Sequence, residues 1–425
     1  MIQQYNATGR IKGELNLPGD KSISHRAVIF SGMAGGKSEI LNCSNGEDVK
    51  SSMACFSVLG CNIEHTPNSI IITGKGKFGF NNKDVVLDAG NSGTTCRLIS
   101  GLLVAQKFTS KIIGDESLSK RPMDRIVEPL TALGADISAV NNRLPIIIKP
   151  VSKLIAIEHT LKVASAQVKS AIILAALHLD DKSTLIEHVK TRNHTEKMLG
   201  LDVIEENGKS IISVSSKNYP AANKYIVPAD ISSAAFFIVF TLLSKNSELI
   251  INNVLLNETR AGIITVLKAM GAKIEIINYY KNGEEISGDI LVKSSILTNI
   301  NIDKNIIANI IDEIPILSLA GLFADGKFEI HHAEELRYKE TDRIKSLVEN
   351  YSKLGLKTEE FTDGFSVEGA ITNKKVLFES FGDHRIAMTF AILSMLSENG
   401  GSINNFDCVN ISNPNFNNQL NSIIG

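Results

Sequence analysis

The sequence has few cysteines, no tryptophan and almost no net charge. Its 425 residues include 44 Lys and Arg against 46 Asp and Glu, which gives a formal net charge of −2 at pH 7. A chain so close to neutral has no overall positive field to hold a nucleic-acid backbone, so basic residues that bind anions must act locally. We therefore expect no nucleic-acid partner.

The cysteines form no CxxC pair and no cluster with histidine at the spacing of zinc ligands. They are Cys43, Cys55, Cys61, Cys96 and Cys408. We interpret them as reduced thiols, most of them small core residues, as is usual in the cytosol. The cysteine pattern therefore predicts a cytoplasmic protein without a metal site.

Long hydrophobic runs are also missing. The longest apolar run, residues 231–243, is too short and too interrupted by serine to span a bilayer. Residues 1–10 have no apolar core behind a basic flank. These features predict neither membrane insertion nor secretion.

A repeated pattern is present instead, in which an amphipathic helix ends in a glycine and an alternating strand follows at once. The glycines are Gly60, Gly134, Gly200, Gly271 and Gly355. Glycine at the end of a helix supplies the left-handed residue that lets the chain reverse into a strand. The copies lie roughly 65 to 85 residues apart, longer than solenoid repeats. They predict a duplicated α/β architecture, although the pattern also occurs in ordinary α/β proteins.

Several predicted helix starts carry groups suited to anions, because free backbone N–H groups and the helix dipole favour negative charge there. Lys21 precedes a helix on which Ser22 and Arg26, four residues apart, share one face. Gly90 and Gly93 lie in a small-residue turn that lets a ligand approach the backbone closely. A well-capped surface helix explains the first segment as well as an anion site does, and a tight βα turn is the alternative for the second.

Three more helix starts have similar chemistry. Arg121 lies just before Pro122, which sets a helix start, and its guanidinium suits a carboxylate or a phosphate. Residues 165–170 and 191–196 place hydroxyl and amide groups at helix starts, the second in a pattern that resembles a capping box. A lone surface arginine is the commoner outcome for a residue such as Arg121, and capping accounts for the other two segments, taken singly, as well as binding does.

The later part of the chain adds carboxylates. Asp312 precedes an apolar helix, and residues 382–388 join a turn to another helix. Glu340 and Arg343 are three residues apart on one predicted helix face, where an acid and an anion-binding group could meet one substrate. A charge run is more often a solvated face. In combination with the anion-directed helix starts, however, it predicts an enzyme that binds several negative charges and moves protons.

Seven segments together resemble the family of 5-enolpyruvylshikimate-3-phosphate synthases. They are LPGDKSISHR (17–26), GNSGTTCR (90–97), GDESLSKRPM (114–123), ASAQVKSA (164–171), IDEIP (311–315), YKETDR (338–343) and GDHRIAM (382–388). The resemblance implies an α/β fold of two similar domains, each of three repeated βαβαββ-like units, with the active site in the cleft between them. It implies one domain at residues 18–227 and a second at residues 1–17 and 228–425.

The implied activity is transfer of the enolpyruvyl group of phosphoenolpyruvate to the 5-hydroxyl of 3-phosphoshikimate. The reaction releases phosphate and belongs to chorismate and aromatic amino-acid biosynthesis, and the family is the target of glyphosate. The resemblance implies a cytoplasmic monomer whose partners are these two small molecules. It implies no cofactor, no metal, no nucleic acid and no membrane.

The resemblance also implies roles for individual residues. Asp312 takes the proton from the 5-hydroxyl, Glu340 protonates the methylene carbon, and Lys21 is the third catalytic residue. The residues expected at phosphorylated shikimate are Lys21, Ser22, Arg26, Ser165, Gln167, Thr191 or Arg192, Asp312 and Lys339, with Ala166 where other classes have a second serine. Those expected at phosphoenolpyruvate are Lys21, Gly93, Arg121, Arg343 and Arg385.

Two differences from the family pattern and two alternative functions bear on this interpretation. Many relatives carry a lysine where residues 409–414 have no basic residue, and Asn193 stands where aspartate is common. The sister enolpyruvyl transferase, which acts on UDP-N-acetylglucosamine, has a KNAA-type start and a reactive loop cysteine, and this chain has neither. A non-catalytic anion-binding relative would have no need of Asp312 and Glu340.

Overall fold

The computed structural model describes residues 1–81, 83–371 and 374–425. Its strands are β1 (Gln3–Tyr5), β2 (Lys12–Leu15), β3 (Gly35–Leu41), β4 (Asn62–His65), β5 (Ser69–Lys75), β6 (Val85–Asp88), β7 (Ser110–Ile113), β8 (Asp136–Val140), β9 (Arg143–Lys149), β10 (Glu158–Thr160), β11 (Ser183–Glu187), β12 (Asp202–Glu206), β13 (Lys209–Val214), β14 (Lys224–Ile226), β15 (Glu248–Leu255), β16 (Lys273–Asn282), β17 (Glu285–Lys293), β18 (Phe328–Ile330), β19 (Lys357–Phe361), β20 (Gly364–Glu368), β21 (Val376–Glu379) and β22 (Gly401–Asn404).

The α-helices are α1 (Lys21–Met33), α2 (Glu47–Val58), α3 (Gly93–Leu103), α4 (Glu116–Ser119), α5 (Asp124–Ala132), α6 (Ala166–Ala176), α7 (His194–Leu199), α8 (Ile231–Leu243), α9 (Gly262–Ala269), α10 (Ile307–Ile310), α11 (Ile314–Leu322), α12 (Arg343–Lys353), α13 (His384–Leu396) and α14 (Phe416–Ile423). The described chain divides into two compact units. Unit I is Gly19–Val227 with Asn282–Glu285, and unit II is Met1–Pro18, Pro228–Lys281 and Ile286–Gly425.

Unit I contains three four-stranded sheets, in the orders β14-β3-β5-β4, β6-β7-β9-β8 and β10-β11-β13-β12. Each begins with a parallel pair, and the two pairings that follow are antiparallel. In all three the last strands form a hairpin, which is the antiparallel connection that needs only a tight turn. The shared order shows that one supersecondary unit is repeated three times.

Unit II also contains three sheets, in the orders β16-β17-β15-β2, β18-β20-β19 and β1-β22-β21. Strand β2 runs parallel to β15, and β21 runs parallel to β22. Helices α8, α11 and α13 contribute many of the residues of its hydrophobic core. The predicted α/β class, with three repeated units in each half, is confirmed.

The glycines that were predicted to end helices adopt the left-handed backbone conformation. Their φ angles are 94° at Gly60, 90° at Gly134, 60° at Gly200, 100° at Gly271 and 75° at Gly355. Each follows the end of a helix by one or two residues and precedes a strand. The prediction is therefore confirmed. Glycine suits these positions because a Cβ is disfavoured at such φ values and glycine has none.

The apolar run at residues 231–243 forms α8, which is buried on nearly every face from Ile231 to Leu242. A helix that is hydrophobic all round is a core helix or a membrane span. Within the described ranges, no single helix is long and apolar enough to cross a membrane. Lys304–Ile310 and Ile314–Leu322 reach the required length and composition only as a pair, which is bent by 115°.

The cysteines are free thiols, and all but Cys43 are buried. Burial raises the pKa of the Cys96 thiol to about 12, so it stays protonated and unreactive at neutral pH. The prediction that most cysteines are small core residues is confirmed.

Candidate active site

The first predicted anion site lies at the start of α1 in unit I. Asp20 caps this helix, and its carboxylate accepts a hydrogen bond from the backbone N–H of Ile23 at 2.9 Å. Lys21 and Ser22 therefore occupy the first turn, with Arg26 one turn later. The Nη1 of Arg26 donates to the carbonyl oxygen of Ser22 at 2.9 Å, so the prediction that the two residues share a face is confirmed.

Lys21 has an acidic partner that the sequence did not single out. Its Nζ lies 2.9 Å from Oδ2 of Asp48, in the first turn of α2. The side chain of Asp48 is 7% exposed and that of Lys21 is 18% exposed. The carboxylate therefore restrains the ammonium group while leaving part of it open to a ligand.

Arg26 is buried and is held by neutral acceptors. Its Nε donates to Oγ1 of Thr195 at 2.7 Å, and its Nη2 donates to Oγ of Ser170 at 2.9 Å. The two hydroxyls share a hydrogen bond of 2.6 Å with each other. Burial lowers the pKa of the Arg26 guanidinium to about 10, although nearby carboxylates such as that of Glu196 oppose the shift. Arg26 therefore remains a cation at neutral pH.

Helices α3 and α6 bring two more predicted sites together. Gly93 is the first residue of α3, and Ser165 caps α6 by accepting from the backbone N–H of Val168 at 3.4 Å. Gln167 joins the two helix starts, because its Nε2 donates to Oγ1 of Thr94 at 2.9 Å and its Oε1 accepts from Nη1 of Arg97 at 2.7 Å. Ala166 begins α6 beside it.

Arg121 lies close to the same place. Its Nη2 donates to Oδ1 of Asn91 at 3.0 Å. A Cβ built on Gly93 would lie 2.7 Å from Nη1 of Arg97 and 3.2 Å from Nη1 of Arg121. Gly93, Arg121 and Gln167 are therefore neighbours in unit I, and the absence of a side chain at Gly93 leaves room for two guanidinium groups.

Thr191 and Arg192 precede α7. Oγ1 of Thr191 donates to Oε2 of Glu187 at 3.0 Å, and Nη1 of Arg192 donates to Oγ of Ser22 at 3.4 Å. The capping box suggested for residues 191–196 is not formed, because α7 begins at His194 and its cap residue Asn193 makes no side-chain capping bond. Thr191 is instead turned towards Glu187.

Lys169 connects the elements that carry these residues. Its Nζ lies 3.0 Å from Oε1 and Oε2 of Glu187 on β11 and 2.6 Å from Oε1 of Glu196 on α7. All three side chains are buried. Burial raises the pKa of Glu187, and Lys169 opposes that shift. These ion pairs connect α6, β11 and α7, and they thereby stabilise the starts of α6 and α7.

The second residue set lies in unit II and is centred on Arg343, the first residue of α12. Its Nε donates to Oδ2 of Asp383 at 2.7 Å, its Nη1 to Oδ1 of Asp312 at 3.2 Å, and its Nη2 to Oε2 of Glu340 at 2.6 Å. Burial disfavours the guanidinium charge, but these three carboxylates raise the pKa of Arg343 above its ordinary value. Arg343 thus gathers the predicted base, the predicted acid and a helix cap around one cation.

Asp312 is surrounded by further cations. Nζ of Lys339 lies 3.7 Å from its Oδ1, and Nη2 of Arg385 lies 3.8 Å from its Oδ2. Nη1 of Arg385 also donates to the carbonyl oxygen of Asp312 at 2.9 Å. The structure therefore brings together all five unit II residues that were predicted for the site.

The residue that follows Asp312 in the chain, Glu313, belongs to a buried ion pair. Glu313 is fully buried, and its Oε1 accepts from Nη1 of Arg260 at 2.7 Å and from the hydroxyl of Ser232. Arg260 also lies 3.3 Å from Oδ1 of Asp230, and Nη1 of Arg385 lies 3.7 Å from Oε1 of Glu313. The backbone that carries Asp312 is thus held by contacts on its neighbour.

The predicted placement of Glu340 on a helix is wrong. Helix α12 begins at Arg343, because Asp342 caps it by accepting from the backbone N–H of Lys345 at 3.1 Å. Glu340 lies in the bend before the cap and approaches Arg343 from outside the helix. The predicted contact between Glu340 and Arg343 is present, but Glu340 reaches Arg343 from the bend that precedes α12 and not from the helix itself.

The fold and these arginine-rich sites define the class of protein. The solved structure of the enolpyruvyl transferase NikO from Streptomyces tendae matches this chain with a TM-score of 0.76, over 99% of this chain and 97% of that one. Only 12% of the residues are identical, so this likeness establishes the fold alone. The chain has the enolpyruvyl transferase fold.

Sequence similarity gives the family. The model of the family EPSP synthase (3-phosphoshikimate 1-carboxyvinyltransferase) matches residues 5–420. The 3-phosphoshikimate 1-carboxyvinyltransferase of Petrotoga mobilis is 45% identical, over 97% of each chain, and that of Caldicellulosiruptor saccharolyticus is 45% identical, over 96% of this chain and 95% of the relative. The solved EPSP synthase of Acinetobacter baumannii is 35% identical with a TM-score of 0.86, over 99% of this chain and 98% of that one.

This chain belongs to the EPSP synthase family, so it is an enzyme, a transferase. The family predicted from the seven sequence segments is confirmed.

Proposed function

We propose that the chain transfers the enolpyruvyl group of phosphoenolpyruvate to the 5-hydroxyl of 3-phosphoshikimate and releases phosphate. The observation that carries the proposal is the family match over residues 5–420. The residue chemistry supports it, because Lys21, Asp312 and Glu340 each make ion-pair contacts that hold them in place.

The unit I residues are proposed to bind 3-phosphoshikimate, with Lys21 also reaching phosphoenolpyruvate. Arg26 is a buried cation with neutral partners, and Arg192 and Ser22 are in contact beside it. Ser165 and Gln167 add a helix start, where free N–H groups favour an anion. Gly93 and Arg121 are proposed to contact phosphoenolpyruvate, since a guanidinium fork matches a carboxylate or a phosphate.

The unit II residues are proposed to carry the proton transfers. Adding an alcohol across the enol double bond needs a base at the hydroxyl and an acid at the methylene, and the intermediate then expels phosphate as it loses a methyl proton. We assign Asp312 as the base and Glu340 as the acid. Arg343, Arg385 and Lys339 compensate the negative charge of the substrates and of the intermediate.

The partners of Arg343 bear on this mechanism. Each of its nitrogens donates to a carboxylate, and these negative charges repel an anionic substrate, so such a substrate binds at Arg343 more favourably when one of the carboxyl groups is protonated. Glu340 is the carboxyl group that suits this condition, because the acid form that the reaction requires is neutral and is attracted less strongly to a guanidinium. Binding of phosphoenolpyruvate at Arg343 and protonation of Glu340 are then linked.

Further properties belong to the same proposal. We infer that the enzyme needs no metal and no cofactor, acts as a monomer in the cytoplasm, and binds neither nucleic acid nor membrane. Assays in the presence of a chelator test the inference that no metal is needed. Light scattering of the purified protein tests the inference that the enzyme is a monomer.

Phosphate release tests the proposed reaction. The purified protein is expected to release inorganic phosphate only when phosphoenolpyruvate and 3-phosphoshikimate are both present. Each substrate alone is the control. Equal release with UDP-N-acetylglucosamine in place of 3-phosphoshikimate would assign the sister activity, and binding of both substrates without release would indicate a non-catalytic relative.

A further inference from the structure

Arg26 differs from the other deeply buried cations in the described part of the chain. Four Lys or Arg residues are at most 2% exposed there, namely Arg26, Lys169, Arg260 and Arg343. Lys169, Arg260 and Arg343 each contact at least two carboxylates. Arg26 contacts two hydroxyls and one backbone carbonyl.

A buried cation that makes no hydrogen bond to a carboxylate is energetically unfavourable, and nearby carboxylates such as that of Glu196 offset only part of the cost of burying Arg26. Hydroxyl acceptors can fix the direction of a guanidinium without cancelling its charge. Carboxylate partners would fix it equally well but would compete with an anionic ligand for it. The described residues accept from three of the five N–H donors of Arg26.

The two hydroxyls form a closed arrangement with the guanidinium. Thr195 accepts from Nε, Ser170 accepts from Nη2, and the two hydroxyls are hydrogen-bonded to each other. Both residues are buried, so water does not compete for these bonds. Rotation of the guanidinium would break two charge-assisted hydrogen bonds at once.

Buried contacts also fix the backbone that carries Thr195. The next residue, Glu196, is bound by Lys169 at 2.6 Å. The preceding residue, His194, shares a contact of 2.7 Å with Oε1 of Glu285. The hydroxyl of Thr195 is thus presented to Arg26 from a segment that is held on both sides.

We propose that Thr195 and Ser170 are positioning residues for 3-phosphoshikimate, which aim the guanidinium of Arg26 and leave its charge free for an anionic group of that substrate. The inference rests on the proposed function. It adds a pair of residues that need not touch the substrate, because they act through Arg26.

Substitution of the hydroxyls tests this inference. Thr195→Val keeps the shape of the side chain and removes the hydroxyl, whereas Thr195→Ser keeps the hydroxyl. Thr195→Val is expected to raise KM for 3-phosphoshikimate about 10-fold or more, the usual effect of losing a hydrogen bond to a charged group. KM for phosphoenolpyruvate and kcat should change by less than about threefold, and Thr195→Ser should restore the parent values.

Two further variants separate positioning from general damage. Ser170→Ala should raise the same KM, and it keeps the test open if Thr195→Val does not fold. Ser100→Ala removes another buried hydroxyl, one that bonds the carbonyl oxygen of Cys96, and should leave both KM values unchanged. In an Arg26→Ala background, Thr195→Val should have no further effect on binding, because the residue through which it acts is gone.

The outcomes distinguish this inference from the proposed function. If the parent does not turn over but binds 3-phosphoshikimate by calorimetry, and Thr195→Val weakens that binding, the proposed reaction fails while the positioning role stands. If the parent turns over and Thr195→Val raises both KM values alike, or adds its full effect to Arg26→Ala, the positioning role is wrong. Absence of 3-phosphoshikimate binding to the parent overturns both.

Discussion

At the scale of single residues, the buried guanidinium groups of Arg343 and Arg26 differ in the charge of their hydrogen-bond partners. Arg343 donates to three carboxylates, whereas Arg26 donates to hydroxyls and a carbonyl. The first arrangement holds the carboxyl groups of Asp312 and Glu340 in place, and the second keeps a positive charge available to a ligand. Glu340 belongs to the first group, and its Oε2 lies 2.6 Å from Nη2 of Arg343.

Glu340→Gln is expected to reduce kcat about 10²- to 10⁴-fold, the usual contribution of a positioned acid or base. Glutamine keeps the shape and an acceptor for Arg343 but has no titratable proton, so binding of both substrates should survive. Steady-state kinetics measures kcat and the KM of each substrate. Exchange of deuterium from water into the methylene group of phosphoenolpyruvate measures proton delivery to that carbon.

Glu349→Gln is the matched control for this prediction. Glu349 lies on α12 and makes an exposed pair with Lys345 at 3.7 Å, so its substitution should leave kcat unchanged. If Glu340→Gln exchanged label at the parent rate and only product release slowed, Glu340 would not carry the proton.

At the scale of secondary-structure elements, the crossing of α3 and α6 holds two parts of the site together. A Cβ built on Gly101 would lie 2.0 Å from the backbone oxygen of Ala171, so the helices touch at this glycine. Gly93 and Gln167 lie at the starts of the same two helices. The separation of those starts therefore depends on the close approach at Gly101.

Gly101→Ala is expected to lower the free energy of unfolding by about 1–3 kcal/mol, because backbone rather than a flexible side chain must move aside. It should also raise KM for 3-phosphoshikimate, because Gln167 moves with α6. Urea unfolding and steady-state kinetics measure the two effects.

Gly35→Ala serves as the control. A Cβ at Gly35 would meet nothing within 4 Å, so stability should change by less than about 0.5 kcal/mol. Equal stability of the two variants would mean that α3 and α6 are not tightly apposed at Gly101.

At the scale of the whole molecule, histidines with lowered pKa values are expected to make stability depend on pH. Burial lowers the pKa of His178 from 6.5 to about 4, and it lowers that of His25 well below 6.5. As pH decreases below 6.5 the unfolded chain binds protons that the folded chain does not, so stability falls until the histidines of the folded chain are protonated as well.

The melting temperature is expected to decrease between pH 7 and pH 5, and to decrease less in His178→Gln, because that variant lacks one of the groups that must stay neutral. Thermal unfolding at several pH values measures this difference. His65→Gln, which removes an exposed histidine, should follow the parent. A His178→Gln profile parallel to that of the parent would show that His178 does not contribute to the acid sensitivity.

The sequence alone determined features that depend on neighbouring residues. The helix-ending glycines were predictable because a left-handed residue is needed wherever a helix turns at once into a strand. The helix starts at Lys21, Gly93 and Ala166 were predictable because small and polar residues precede an apolar periodic segment. The α/β class and the family followed from these local patterns and their order.

Only the tertiary structure decided the partners of the site residues. Asp48 lies 27 residues from Lys21, and Thr195 lies 169 residues from Arg26. One signal was available, since Lys169 is the only charge in the apolar segment of α6 and such a lysine needs a buried carboxylate. The identity of that carboxylate was not predictable, because contacts between distant residues depend on how helices and sheets pack, and local sequence does not encode that packing.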